Sequence, residues 1–244
     1  MKHKPIKLLS LLGVTTAATL IGAGEASAII ALDTFDVNQS FIPISNSGDS
    51  GTVNDSSFPG SILGSERELS YSASASSPSS SIFVGDQVGG LLSVTESPGV
   101  NIATTLLYDG IGSPGLSGFD ITESNANKGI LFDGTSAGLG ITVNITDTFS
   151  QTSSLNDTIA SVGGVGNDNA FFEFANFSGG ADLTQVDSIE LVLDSPSGGV
   201  SYSFDAIGFT PDIDSDIPDP APVPFEAETS IALALLGGWG AWKR

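Results

Sequence analysis

Ile141-Thr142-Val143-Asn144-Ile145-Thr146 alternates apolar and polar side chains at every step. A period of two is typical of a strand that turns one face to a core and the other to solvent. The β-branched residues Ile, Val and Thr also favour the extended backbone. The stretch therefore predicts a half-buried β-strand.

The same alternation recurs along the chain. It is found in residues 68–76 and 186–193 and around Tyr202 and Phe204. Shorter or more apolar strand candidates are residues 29–35, 91–95, 102–108, 130–132 and 170–174. Clusters of Gly, Ser, Asn, Asp and Pro separate them, and no sustained helical stripe occurs between residues 29 and 222. This pattern predicts an all-β protein, an antiparallel β-sandwich or jelly roll. A β-helix of short repeats is the alternative, but the chain shows no fixed period.

Charge is distributed very unevenly. The formal net charge of the chain is −21, and residues 29–222 hold 25 acidic side chains but only two basic ones, Arg67 and Lys128. Such a segment repels phosphates, which argues against a nucleic-acid partner. The chain has no Cys, and its one His is His3. Disulfides, the usual zinc sites and His-dependent catalytic triads are therefore excluded from residues 29–222.

The N-terminus has the parts of a secretory signal. Lys2, Lys4 and Lys7 precede the apolar residues 8–21, and Ala26-Ser27-Ala28 offers an A-x-A cleavage site. The apolar segment is shorter than the ~20 residues of a membrane-spanning helix. We therefore predict a helical signal peptide over residues 1–28, with the secretion translocon and signal peptidase as partners. Ala26 and Ala28 define this site, and cleavage after Ala28 would leave Ile29 as the first residue of the mature chain.

The C-terminus has three parts in order: Pro224-Phe225-Glu226, the apolar residues 231–242, and Lys243-Arg244. Twelve helical residues reach only about 18 Å, which is short of a ~30 Å hydrocarbon core. The tail resembles the PEP-CTERM class of bacterial sorting signals, in the cyanobacterial variant that has Pro-Phe-Glu. The resemblance implies a short apolar helix, transient membrane association and processing by an exosortase-type membrane protease. It also implies a place at the cell surface or in the extracellular matrix beside exopolysaccharide.

A eukaryotic lipid-anchor signal is the alternative for this tail. Its support is a set of Asn-x-Ser/Thr sequons, which begin at Asn38, Asn54, Asn144, Asn156 and Asn176. Ser, Thr and Asn are so frequent here that several sequons arise by chance, and a tail that ends in Lys-Arg fits a lipid-anchor signal badly. The bacterial interpretation is therefore favoured.

A second resemblance concerns the body of the chain. It rests on Ala170-Phe171-Phe172-Glu173-Phe174, on residues 181–189, on residues 201–207, and on Leu32-Asp33-Thr34-Phe35-Asp36. These pieces resemble the strands of carbohydrate-binding-module-like jelly rolls. Such modules often tie their first and last strands with one structural ion. The resemblance thus implies a calcium site that uses Asp33 or Asp36 together with Asp205.

The predicted organisation has four parts: a signal peptide (1–28), a β-sandwich domain (29–209), an acidic Pro-rich linker (210–222) and the sorting signal (223–244). Asp212, Asp214 and Asp216 have the spacing of a calcium loop, but the glycine and distal Glu of such a loop are missing. We interpret them as charges of a solvated linker.

Candidate ligand residues are few. The segment 29–222 lacks Trp, so sugar stacking would fall to Tyr71, Tyr108 and Tyr202. Glu66 and Glu68 are expected to flank Arg67 on a strand as a surface ion pair, not to form a hydrolytic pair. We predict a protein that is not an enzyme: an exported cell-surface or matrix protein associated with exopolysaccharide. The alternatives are a glycan-binding module and a calcium-dependent matrix or adhesion protein.

Overall fold

A computed structural model describes residues 29–36, 40–46, 48–56, 61–75, 77, 79–85, 90–135, 138–159, 169–195 and 198–211. The predicted signal peptide lies outside these residues, together with its helix and its cleavage site. The sorting signal, with its Pro-Phe-Glu motif and apolar helix, lies outside them as well. Of the linker, only the first two residues are described. Among the described residues, no helix has the length and apolar character needed to cross a membrane.

The described residues form fourteen strands and two three-residue 3-10 turns. The strands are β1 (Ile30–Asp33), β2 (Ser40–Pro43), β3 (Ser50–Ser56), β4 (Glu66–Ala73), β5 (Ser81–Gly85), β6 (Leu91–Thr95), β7 (Ile102–Tyr108), β8 (Gly129–Thr135), β9 (Leu139–Asp147), β10 (Thr152–Ile159), β11 (Ala170–Glu173), β12 (Ser178–Gly179), β13 (Val186–Asp194) and β14 (Tyr202–Thr210). The 3-10 turns are Leu63–Ser65 and Phe174–Asn176.

Two antiparallel sheets make up the fold. Sheet A has the order β11-β8-β14-β6-β5-β2, and β1 pairs with β14 beside it. Sheet B has the order β12-β10-β9-β13-β7-β4-β3. The all-β antiparallel prediction is therefore confirmed.

One continuous core lies between the sheets. Ile141, Val143 and Ile145 of β9 are at most 2% exposed, and the polar residues between them are half-buried on the outer face. The inward residues of both sheets belong to a single buried cluster. Because burial of one Leu, Ile or Val side chain contributes about 1.5–3 kcal/mol, this cluster supplies the main stabilisation of a chain without cysteine.

Arg67 corrects one prediction. It is wholly buried and does not form a surface ion pair with Glu66 and Glu68. Its Nη1 donates to Asp33 Oδ2 at 2.7 Å, and its Nη2 donates to Asp55 Oδ2. β4 turns Arg67 inward, opposite Asp55 of β3, so the alternation of the strand and not the neighbouring charges decides the partners.

The Arg67 cluster also holds two aromatic rings. The Tyr108 hydroxyl donates to Asp33 Oδ2 at 3.0 Å, and the Arg67 guanidinium carbon lies 5.4 Å from the centroid of the Phe35 ring. Complete burial raises the pKa of Asp33 more than Arg67 and the hydrogen bonds lower it. Two carboxylates thus share one buried guanidinium, which ties β1 of sheet A to β3, β4 and β7 of sheet B.

Candidate functional site

The three predicted tyrosines do not form a common ligand surface. Tyr108 and Tyr202 are 0% and 2% exposed, so neither ring presents a face to solvent. Tyr71 is half-buried near the end of β4, with its ring over Gly51 of the neighbouring strand. Burial raises the pKa of the Tyr202 hydroxyl and that of the Tyr108 hydroxyl well above their ordinary value. These hydroxyls belong to the core.

The three carboxylates predicted to bind calcium have different environments. Asp33 is committed to protein donors, since its Oδ1 accepts the Phe35 N–H at 2.8 Å and its Oδ2 accepts from Arg67 and Tyr108. Asp36 packs against Gly90, and Asp205 is exposed on β14. Within the described ranges, no three Asp, Glu, His or Cys side chains are grouped so that they could hold a metal. The calcium site stays a prediction.

A groove of about 480 Å³ lies where the segment before β8 meets the end of β11 and the turn before β13. We call it the Lys128 groove. It is lined by Thr122, Asn125, Asn127, Lys128, Glu173, Phe174, Ala175, Leu183 and Thr184.

Asp120 organises the loop that forms one side of the groove. Its Oδ1 accepts the Thr122 N–H at 2.9 Å and the Thr122 hydroxyl at 2.6 Å, and its Oδ2 accepts the Ser124 N–H at 3.0 Å. Partial burial raises the pKa of Asp120, but these hydrogen bonds outweigh it and the pKa lies below its ordinary value. The ionised carboxylate is therefore the form that holds the loop.

Three consecutive residues of this loop have a left-handed backbone. The φ angles of Glu123, Ser124 and Asn125 are 44°, 56° and 73°. Residues with side chains seldom adopt this region, at a cost of about 1–3 kcal/mol each where it is sparsely populated. The loop is held by Asp120 and by Asn127, whose backbone N–H donates to Thr122 O at 2.9 Å and whose Nδ2 donates to Ile121 O at 3.3 Å. The groove is thus preorganised by hydrogen bonds.

The opposite wall is aromatic and is anchored to the sandwich. The Phe174 ring lies 6.1 Å from the Phe177 ring and 6.0 Å from the Phe209 ring of β14, measured between centroids. The Phe174 N–H donates to Lys128 O at 2.8 Å, and the Lys128 N–H donates to Thr210 O at 2.9 Å. These backbone bonds fix Lys128 between β14 and the wall.

Two exposed charged side chains line the groove. The Lys128 ammonium donates to Asn125 O, and Glu173 stands at the end of β11. Together with the exposed Thr184 hydroxyl, they offer ammonium, carboxylate and hydroxyl groups beside an apolar ring. A concave site with a few convergent polar groups on an apolar wall is suited to a small polar ligand.

A polar ladder covers part of the outer face of sheet B. Ser154 Oγ donates to Asn144 Oδ1 at 2.7 Å, and Asn144 Nδ2 donates to Glu190 Oε2 at 2.7 Å. Thr142 accepts from Asn156 Nδ2 at 3.0 Å in the next row. These side chains bond to one another, and the ladder forms part of the outer surface of sheet B.

Comparisons with known proteins concern the fold. A scan of protein-family models and a search of curated proteins each gave no match. Among solved structures, a family 11 carbohydrate-binding module of a cellulosomal cellulase of Clostridium thermocellum matches at 15% identity and a TM-score of 0.38. The match covers 79% of this chain and 99% of that one. The likeness lies in the fold alone.

Two further matches are of the same kind. The family 11 module from Clostridium thermocellum, solved with a β-1,3-1,4-mixed-linked tetrasaccharide, matches at 13% identity and a TM-score of 0.36, over 77% of this chain and 98% of that one. A family 29 carbohydrate-binding module matches at 12% identity and a TM-score of 0.27, over 76% of this chain and all of that one. All three TM-scores lie below 0.5, and the likeness assigns neither a ligand nor an activity.

The sequence did not predict the Lys128 groove. Its residues come from three separated segments, and only the fold brings them together. One local signal was present: Asp120-Ile121-Thr122 places a carboxylate two residues before a hydroxyl, a pattern typical of an Asx turn. Lys128 was visible as one of two cations, but its position beside Phe174 was not.

Proposed function

We propose that this protein is a non-catalytic glycan-binding module and that the Lys128 groove is its binding site. The observation that carries the proposal is the combination of a preorganised polar loop with the Phe174 wall. Sugars have polar hydroxyls and apolar C–H faces, and the groove offers partners for both. Glu173 supplies acceptors and Lys128 supplies donors for hydroxyls, and Phe174 supplies the apolar contact.

Glycan binding can be tested on the full-length chain with a glycan array, followed by calorimetry on the oligosaccharides that bind. We expect Glu173→Gln to weaken binding by about tenfold, because Gln replaces a charge-assisted hydrogen bond of roughly 1.5–3 kcal/mol with a neutral one of about 1 kcal/mol. Glu190→Gln is the matched control, since it makes the same chemical change on the outer face of sheet B. An equal loss of glycan affinity in both variants would show that the groove is not the binding site. An array without hits would contradict the proposed function.

We also propose that the protein is exported, processed by an exosortase-type system and associated with exopolysaccharide. The support for this proposal is the sequence of the tail, in which Pro224-Phe225-Glu226, an apolar segment and Lys243-Arg244 follow one another in this order. Replacement of Pro224-Phe225-Glu226 by alanines should leave unprocessed protein in the membrane fraction. Alanines at Asp212, Asp214 and Asp216 are the control and should leave processing intact. Normal release of the first variant would refute the proposal.

A further inference from the structure

Lys128 is an exposed positive charge in a strongly acidic part of the chain. Residues 29–222 contain two cations, and the first, Arg67, is buried with two carboxylates. Lys128 is exposed and forms no ion pair with any residue of the described part, although acidic side chains outnumber basic ones so strongly. Among the described residues, Lys128 is therefore the one exposed cation, and no acidic side chain of these residues forms an ion pair with it.

The backbone and the ammonium of Lys128 are both held in place. Its N–H donates to Thr210 O, its carbonyl accepts from Phe174, and its ammonium donates to Asn125 O. An ammonium has three N–H donors, so two remain for a ligand. They lie at a groove whose other wall is the Phe174 ring.

We propose that Lys128 makes the groove selective for a glycan that carries a carboxylate, that is, a glycan containing uronic acid or a similar acidic sugar. This inference rests on the proposed glycan-binding function and adds the chemical class of the glycan. A charge-assisted hydrogen bond from ammonium to carboxylate is stronger than one to a neutral hydroxyl. Charges of the acidic surface beyond about 8 Å are screened at physiological ionic strength. Because Glu173 lines the same groove and repels an anion, we expect the carboxylate of the glycan on the Lys128 side and neutral hydroxyls on the Glu173 side.

The test compares two forms of each ligand on the full-length protein. Uronic-acid oligosaccharides are measured by calorimetry beside the same oligosaccharides with each carboxyl group reduced to hydroxymethyl. We expect the acidic form to bind about ten- to a hundredfold more tightly. Lys128→Met should abolish this preference, and Lys128→Arg, which keeps the charge, should retain part of it. Urea unfolding of each variant checks that the domain is intact.

The outcomes separate this inference from the function on which it rests. Equal binding of both forms, or a preference for the reduced form, overturns the acidic-glycan inference and leaves glycan binding standing. Retention of the full preference in Lys128→Met also overturns it. Absence of binding to every glycan, acidic or neutral, overturns both proposals. If Lys128→Met does not fold, the comparison of the two ligand forms on the unaltered protein still decides.

Discussion

At the scale of single residues, the Arg67 cluster is the least expected feature. A buried guanidinium requires compensation, and here Asp33 and Asp55 supply it from two other strands, while the Tyr108 hydroxyl donates to Asp33. Buried ion pairs add little net stability compared with apolar residues, but removal of one partner leaves an uncompensated buried charge. The cluster thus fixes which strands face each other.

The first prediction concerns this cluster. Arg67→Met should destabilise the fold by about 3–5 kcal/mol, because Asp33 and Asp55 would be left buried without a cation. Urea unfolding measures the loss. The triple variant Arg67→Met, Asp33→Asn, Asp55→Asn should recover part of it, since it also removes the buried negative charges. A cost below about 1 kcal/mol for Arg67→Met alone would contradict the structural role of the cluster.

At the scale of elements, the loop before β8 depends on one carboxylate. Asp120 accepts hydrogen bonds from Thr122 and Ser124, and Ser124 is the middle one of three left-handed residues. Since the carboxylate has a lowered pKa in the folded protein, its contribution is present above its ordinary pKa of about 3.8. It is lost as the pH falls through the lower, folded value.

The second prediction follows from this loop. Asp120→Asn should reduce stability by about 1 kcal/mol at pH 7, because the hydrogen bonds to the ionised carboxylate are lost. The difference in unfolding free energy between the unaltered protein and the variant should shrink as the pH falls below 3.8. Urea unfolding across pH 7 to pH 2 measures it, and the comparison removes the titration of the other acids. A difference independent of pH would contradict the role of the charge.

The third prediction concerns β8. Gly134 has a φ of 155°, and a Cβ added there would lie 2.6 Å from Phe204 Cα and collide with the Ser203 carbonyl of β14. Gly134→Ala should therefore be clearly more destabilising than Gly138→Ala. Gly138 also has a positive φ, of 75°, but an added Cβ would meet no atom within 4 Å. Equal unfolding midpoints for the two variants would show that β14 does not approach β8 so closely.

At the scale of the whole molecule, a net charge of −21 opposes a compact fold that has no disulfide. Carboxylates repel one another over the surface, and salt screens this repulsion. The apolar core and the buried Arg67 cluster are not weakened by that screening. The body of the protein should therefore tolerate salt well.

The fourth prediction uses this difference. The thermal midpoint should rise when NaCl is increased from about 10 mM to 500 mM, because the Debye length falls from roughly 30 Å toward a few ångströms. If Asp36 and Asp205 contribute to a calcium site, millimolar CaCl₂ should raise the thermal midpoint further at fixed ionic strength. A chelator should then reverse this rise. An identical midpoint with and without CaCl₂ would contradict the calcium prediction and leave the screening effect untouched.

Sequence periodicity predicted the strands that have a regular apolar face. β9 and β13 are the clearest examples, since their alternation reports burial directly. β3 and β10 were not predicted, because Ser, Thr, Asn and Asp dominate both. Their extended backbone comes from pairing with β4 and β9, which a local pattern does not record.

Alternation and composition are local properties of the chain, so they were sufficient to predict the fold class and the excess of acidic charge. Which charges are buried and which line the groove depends on tertiary contacts. Arg67 and Lys128 look alike in the sequence, yet β4 turns the first into the core and the loop before β8 places the second beside Phe174. Burial and neighbourhood depend on contacts between residues far apart in the chain, and those contacts exist only once the two sheets have packed.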